Sequence, residues 1–206
     1  MATSIVEDFG DGTYTVAFDK ANIHTTVTAY GQEVEDWLDE ILRIHSHRLS
    51  RLIVGIDVEW RPASGSRGRG PVAVLQICVG HRCLIVQILH ADYVPDLLRD
   101  FLADGRFGFA GVGIDDDVFK LKVHYGLKVE NAADLRDVAA EKLGKPALRR
   151  TGLQGLVWEV MGVWMEKPYD VRVSDWDSRQ LTPEQVMYAC ADAFASFEIG
   201  RRFCTC

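Results

Sequence analysis

The strongest constraint on this chain is a nearly continuous apolar run that ends in acids, LIVGIDVEW over residues 52–60. Such a run is typical of a strand that is covered on both faces, so we predict a short buried strand here. Asp57 and Glu59 stand near its carboxyl end, and side chains two positions apart leave the same face of a strand. Because buried strands seldom end in two unpaired acids, the pair predicts a site that binds something positive.

Strand patterns are concentrated in the first half of the chain. Residues 13–18 and 23–29 read as a hairpin, and residues 72–79 and 82–88 face each other across the turn signal Gly80-His81. With residues 52–60 these last two strands predict an antiparallel meander. A later strand-helix unit, 107–125, can pair in parallel. We therefore predict an α/β fold, in which a mixed sheet of an antiparallel meander plus parallel strands is flanked by helices.

Helical periodicity marks a segment from Val34 to about Arg48 and most of the second half of the chain. The clearest helix start is the last one. There Thr182 can act as the N-cap, Pro183 takes the first helical position and Gln185 completes a capping box. No linker or repeat interrupts the pattern, so we expect residues 1–50, a hairpin and a helix, to be part of the same domain as residues 51–206.

The charge balance limits how this chain can bind a polyanion. It has 23 Lys and Arg against 30 Asp and Glu, a net charge of −7, which is the wrong sign for nucleic-acid binding by a broad basic surface. The five cysteines form no C-x-x-C pair, and neither a signal sequence nor a long apolar span is apparent. We expect an intracellular protein of the cytoplasm and/or nucleus, without a membrane anchor.

Two further carboxylates lie in predicted helices, one at the start of a helix and one within the last helix. Asp117 follows the strand in GVGIDDDVF, and Tyr188 and Asp192 are four apart in the last helix, so they share a face. With Asp57 and Glu59 they give four carboxylates and a tyrosine. Carboxylate oxygens favour Mg²⁺ or Mn²⁺, and pairs of such ions commonly serve displacement at phosphorus. The pattern thus predicts a metal site in which a tyrosine orients water or accepts its proton.

These motifs, in this order, resemble those of the DEDDy branch of the DnaQ-like 3′-5′ exonucleases, which have a ribonuclease H-like fold. The similarity is greatest to the Werner-type exonuclease domains and their small plant relatives. It runs from Ile53 to about Phe203 and includes the segments GIDVEWRP, PVAVLQICVG, GVGIDDDVFKL and SDWDSRQLTPEQVMYACADAF. The resemblance implies stepwise removal of nucleotides from a 3′ end with two Mg²⁺ as cofactors, for which Mn²⁺ can substitute.

The resemblance also implies a role for each motif residue. Asp57 would bridge both metals, and Glu59 would hold the first metal and the terminal 3′-hydroxyl. Asp192 would hold the first metal, and Asp117 the second through water. Tyr188 would position the nucleophile.

Nucleic-acid contacts are expected beside these motifs. Two aromatic residues would line the nucleotide slot, Trp60 and Phe119, and four basic residues would contact phosphates, Arg61, Lys120, Arg149 and Arg150.

Residues 1–50 resemble the stand-alone plant members, including exoribonucleases that clear fragments from the RNA-silencing complex as ring-shaped oligomers. This likeness implies single-stranded RNA in preference to DNA, a role in small-RNA turnover, a protein partner in RNA silencing and a homo-oligomer such as a hexameric ring.

Two other functions stay open at this point. One is a non-catalytic nucleic-acid-binding or scaffold protein on the same fold, and the other is a two-metal hydrolase of small phosphate esters. A dinucleotide-binding loop at Gly111-Val112-Gly113 is excluded, because Asp116 stands where the third glycine is required.

Overall fold

The computed structural model describes residues 3–60 and 70–204. This part of the chain forms one sheet with helices on both faces. Its strands are β1 (Ser4–Asp8), β2 (Thr13–Phe18), β3 (Ala21–Thr28), β4 (Ile53–Trp60), β5 (Val72–Val79), β6 (Arg82–Val86), β7 (Gly108–Gly111) and β8 (Ala132–Asp134). Its α-helices are α1 (Gly31–Ile44), α2 (Asp96–Ala103), α3 (Ile114–Tyr125), α4 (Leu135–Lys142), α5 (Leu153–Met161), α6 (Tyr169–Arg172) and α7 (Pro183–Cys204).

The sheet combines antiparallel and parallel neighbours in the order β1-β2-β3-β6-β5-β4-β7-β8. β4, β5 and β6 form the predicted antiparallel meander. β7 joins β4 in parallel, β8 joins β7 in parallel, and β3 runs parallel to β6. The predicted mixed sheet is therefore confirmed, with the hairpin of β2 and β3 attached to it through β6.

Two apolar layers cover the faces of the sheet. One layer packs α7, α4 and α5 against the sheet through residues such as Ala189, Ala193 and Leu156. The other packs α1, α2 and α3 against the opposite face through Leu38 and Phe101. β5 is buried along its whole length because it lies at the centre of both layers. No helix in residues 3–60 and 70–204 is long and apolar enough to cross a bilayer.

The start of α7 is fixed by the capping box predicted from the sequence. The backbone N–H of Thr182 donates to the side-chain oxygen of Gln185 at 2.9 Å, and the N–H of Gln185 donates to the Thr182 hydroxyl at 3.3 Å. Gln185 also donates to the hydroxyl of Ser174 at 2.9 Å. These bonds satisfy helix donors that would otherwise lack partners, so they define where the last helix begins.

α1 ends earlier than its periodicity predicts. The apolar face indicates a helix to about Arg48, but α1 ends at Ile44 and is followed by a 3-10 segment, Ser46–Arg51. Arg48 interrupts the helical backbone with φ −143° and ψ 27°. Because β4 begins two residues after this segment, the chain has to reverse direction here, and the tighter 3-10 turns accomplish the reversal.

Helix α7 approaches β4 at a distance that only glycine permits. A Cβ atom on Gly55 would lie 2.1 Å from the carbonyl oxygen of Ala193 and 2.5 Å from the nitrogen of Phe197. Further along the helix, a Cβ on Gly200 would lie 2.8 Å from Cβ of Ala110. The helix backbone therefore rests directly on the middle of the sheet.

We expect Gly55→Ala to lower the free energy of unfolding by about 1–3 kcal/mol, the usual cost of forcing extra atoms into a packed contact. The obstructing atoms belong to the backbone of α7 and cannot rotate away. Gly105→Ala is the matched control, because a Cβ there meets nothing within 4 Å. Chemical denaturation of both variants measures the difference, and equal stabilities would contradict this account of the contact.

Candidate active site

A cleft opens in the sheet where β7 stops and β4 continues. β7 pairs with β4 only along Ile53–Gly55, so the remaining residues of β4 have a strand neighbour on the β5 side alone. The cleft has a volume of about 690 Å³. Seven of the residues predicted from the sequence line it: Asp57, Glu59, Trp60, Asp117, Lys120, Tyr188 and Asp192.

Three carboxylates converge in this cleft. Asp57, Glu59 and Asp192 each offer an oxygen, and these atoms all lie within 4.8 Å of one another. The side chain of Asp192 is almost fully buried, and its Oδ1 makes no hydrogen bond within the described part of the chain. Clustered hard oxygen donors with an unsatisfied buried oxygen fit a divalent cation such as Mg²⁺ or Mn²⁺.

Asp117 lines the same cleft from the first turn of α3, outside this group of three. The turn before α3 requires Gly113, whose φ is +74°. The N–H of Gly113 donates to Oδ2 of Asp134 at 2.9 Å, and Oδ1 of Asp134 accepts from the N–H of Arg136 at 2.8 Å. Asp134 therefore caps α4 and holds the β7–α3 turn at the same time, which fixes the position of Asp117.

A lysine that the sequence analysis did not identify lies among the acids. Nζ of Lys167 donates to Oδ2 of Asp192 at 2.5 Å and lies 4.9 Å from the ring centroid of Tyr188. Lys167 belongs to the irregular segment between α5 and α6. No periodicity or motif spacing marks a residue in such a segment, so nothing in the sequence indicated that this side chain reaches the site.

Burial and mutual repulsion shape the protonation of the acids. Burial, together with the neighbouring charge of Asp192, raises the pKa of Asp57 well above its usual range. The same two causes raise the pKa of Glu59 to about 8. Burial also raises the pKa of Asp192, although the ammonium of Lys167 opposes the rise. The cluster thus favours any added positive charge.

The acids also shift the pKa values of their two neighbours, Lys167 and Tyr188. Burial opposes the charge on Lys167, but the combined attraction of Asp192, Tyr188 and Asp57 outweighs this effect, so the pKa of the lysine is raised. Burial, followed by the charge of Asp192, raises the pKa of Tyr188 above that of a free phenol. Lys167 is therefore cationic and Tyr188 keeps its hydroxyl proton near neutral pH.

Trp60 and Lys120 form one wall of the cleft. Nζ of Lys120 lies 3.8 Å from the Trp60 ring centroid and 3.8 Å from Oδ1 of Asp117. Lys120 is only 8% exposed, so the cation is held between an aromatic face and a carboxylate. Arg172, the last residue of α6, lines the same cleft and was likewise not predicted from the sequence.

Three of the other predicted nucleic-acid contacts, Phe119, Arg149 and Arg150, lie outside this cleft. Phe119 is 66% exposed and does not line the cleft. Nε of Arg149 pairs with Asp137 at 3.0 Å, and neither Arg149 nor Arg150 lines the cleft. Arg61 is outside the described residues. Contact of these four residues with nucleic acid stays a prediction.

Comparison with known proteins identifies relatives of similar sequence. The chain is 35% identical to a "3'-5' exonuclease" of Arabidopsis thaliana over 149 residues, 71% of this chain and 50% of the relative. It is 36% identical to the mouse (Mus musculus) "Bifunctional 3'-5' exonuclease/ATP-dependent helicase WRN" over 151 residues, 73% of this chain and 11% of the relative. The chain thus spans half or less of the length of these relatives.

Two solved structures of exonuclease domains are similar in fold to this chain. The EXD2 exonuclease domain soaked in Mn has a TM-score of 0.52 and 29% identity, with 85% of this chain and 86% of that chain covered. The catalytic core of RRP6 from Trypanosoma brucei has a TM-score of 0.71 at 20% identity, with 87% and 46% covered, and shares the fold. The ribonuclease H-like fold implied by the sequence is confirmed. Because the model of the 3′-5′ exonuclease family also matches residues 25–204, the chain belongs to that family.

Proposed function

We propose that this chain is a metal-dependent 3′-5′ exonuclease of the DEDDy type, a two-metal phosphodiester hydrolase that removes nucleotides stepwise from a 3′ end. The observation that carries the proposal is the convergence of Asp57, Glu59 and Asp192 within 4.8 Å. Tyr188, one turn before Asp192 on the same helix, lines the same cleft. Membership of the exonuclease family supports the reaction class.

The proposed mechanism uses two divalent ions. Asp57, Glu59 and Asp192, which lie within 4.8 Å of one another, would hold one ion, and Asp57 with Asp117, the latter through water, would hold the other. When bound, such ions lower the pKa of an attacking water and neutralise charge on the leaving oxygen. Mg²⁺ is the proposed cofactor and Mn²⁺ a substitute, in keeping with the Mn soak of the EXD2 domain.

The side chains of the cleft would orient the attacking water and the terminal nucleotide. Because Tyr188 keeps its proton, its hydroxyl can donate to or accept from the attacking water and so direct it at the scissile phosphate. A carboxylate oxygen of Glu59 can accept a hydrogen bond from the terminal 3′-hydroxyl. Trp60 lines the cleft and would contact the last nucleotide, while Lys120, whose ammonium lies over one face of the Trp60 ring, adds positive charge to this wall.

The finer features of the function rest on the resemblance of residues 1–50 to stand-alone plant exoribonucleases. They are a preference for single-stranded RNA over DNA, a role in the turnover of small RNA or of fragments from a silencing complex, and a protein partner in that process. An intracellular location agrees with the free, buried thiols of Cys78, Cys83 and Cys190.

We expect a 5′-labelled single-stranded RNA to shorten from its 3′ end in the presence of Mg²⁺ or Mn²⁺, and the matching DNA to shorten more slowly. Asp57→Asn should reduce the rate at least about 100-fold, since even the outer partners of metal ligands contribute up to that factor. Asp39→Asn, an exposed acid on α1, is the matched control and should retain the wild-type rate. Gel electrophoresis of the products measures the rates of the wild type on RNA and DNA and of both variants.

The same assay separates the alternatives. Binding without products from either nucleic acid would favour a non-catalytic member of the fold. Faster hydrolysis of a small phosphate diester than of an oligonucleotide would favour a small-ester hydrolase. Equal rates for wild type and Asp57→Asn would refute the proposed site.

We expect Lys167→Met to lower the melting temperature of the metal-free protein, because Asp192 then loses its buried cationic partner. Addition of Mn²⁺ should raise the melting temperature of this variant more than that of the wild type, since the ion supplies the missing charge. Lys142→Met, at an exposed position of α4, is the control. Equal Mn²⁺ shifts in wild type and Lys167→Met would contradict this account.

We expect the protein to form a homo-oligomer. A hexameric ring would have a mass close to six times the 23.1 kDa of the chain. Size-exclusion chromatography with light scattering measures the mass. A mass equal to one chain at micromolar concentration would remove the ring from the proposal without affecting the exonuclease site.

A further inference from the structure

A second large cleft lies at the opposite end of the sheet from the acids. The acids stand at the end of β4, whereas the Gly80-His81 turn between β5 and β6 lies beyond Gly55, toward the start of β4. This turn forms one side of a cleft of about 820 Å³. The volume falls in the range of cavities that bind small ligands, roughly 300–1,000 Å³.

Basic side chains from four separate segments converge on this cleft. They are His24, His45, Arg48, His81, Arg82 and Arg201. Glu198 is the only carboxylate among the described residues that line the cleft. Its charge is already compensated, because it accepts from Arg201 at 2.7 Å and from Arg202 at 2.9 Å. Of the three arginines that line the cleft, Arg82 pairs with Glu40 at 3.1 Å and Arg201 pairs with Glu198, which leaves the charge of Arg48.

Arg48 is held in place by a neutral partner. Nε and Nη2 of Arg48 lie 3.1 and 3.0 Å from Nδ1 of His45. Burial, followed by the charge of Arg48, lowers the pKa of His45, so the ring is uncharged and Nδ1 can accept these bonds. Arg48 has no carboxylate partner in residues 3–60 and 70–204. The cleft therefore contains an oriented guanidinium whose charge is not neutralised.

We propose that this second cleft binds the phosphate group of a nucleotide or of a nucleic-acid strand. Guanidinium groups bind phosphate through paired, charge-assisted hydrogen bonds, and several of them around one cavity favour an anion with many acceptor oxygens. The cleft is separate from the acid cluster and needs no divalent ion. The inference therefore does not depend on the proposed exonuclease function.

Isothermal titration calorimetry of the full chain in EDTA tests the proposal with three probes: inorganic phosphate, a nucleoside 5′-monophosphate and a short single-stranded RNA. EDTA prevents metal-dependent cleavage during the titration. Arg48→Gln should weaken binding about tenfold, the effect of losing one charge-assisted hydrogen bond. Arg43→Gln is the matched control, because Arg43 is exposed on the last turn of α1, carries the same charge and does not line the cleft. It should change binding less than twofold.

The three probes also identify the source of the phosphate. If Arg48→Gln weakens binding of the monophosphate, the ligand is a free nucleotide; if it weakens binding of the RNA alone, the ligand is the strand backbone. Equal effects of Arg43→Gln and Arg48→Gln, or no effect of Arg48→Gln on any probe, would overturn the proposal. Should Arg48→Gln lower the melting temperature, Arg82→Gln provides the second test, since the carboxylate that pairs with Arg82 in the described part of the chain is the partly exposed Glu40 on α1.

Discussion

The arrangement of this protein depends on the direct contact between helix α7 and strand β4. Gly55 lets the backbone of α7 lie against the strand, with the position of its missing Cβ only 2.1 Å from the carbonyl oxygen of Ala193. Asp192 immediately precedes that residue, so the contact that packs the core also brings Asp192 beside Asp57 and Glu59. A longer side chain at position 55 would separate the helix from the strand and the acids from one another.

The same contact creates an electrostatic problem, because it places carboxylates in a partly dry cleft. Their pKa values rise, and Lys167 offsets part of the repulsion through Asp192. Breaking such a buried pair typically costs about 3–5 kcal/mol, more than the strain of an added methyl group in the core. The affinity of the cleft for cations is therefore a consequence of the packing of α7.

Local periodicity explains which parts of the site were predictable. Asp57 and Glu59 follow the two-residue repeat of a strand, and Tyr188 and Asp192 follow the helical spacing of four, so the sequence determines the face that each pair shares. Lys167 lies in an irregular segment and has no such repeat. The strands β1 and β8 were not predicted because SIVED and AAD are too short and too polar to stand out. The second cleft assembles side chains from distant segments, which only the tertiary fold brings together.

The net charge of −7 therefore does not predict how the protein surface interacts with a phosphate group. At the carboxyl end of β4 the clustered acids share the cleft with Lys120, Arg136, Lys167 and Arg172, and the proposed divalent ions would add further positive charge there. At the opposite end, Arg48 is bonded to the neutral ring of His45 and has no carboxylate partner within the described residues. In the proposed function, attraction of phosphate at the first end would depend on metal, whereas the attraction proposed for the second end would come from the side chains alone. An acidic net charge is therefore compatible with both proposals, because the acid cluster and the basic cleft lie at opposite ends of the sheet.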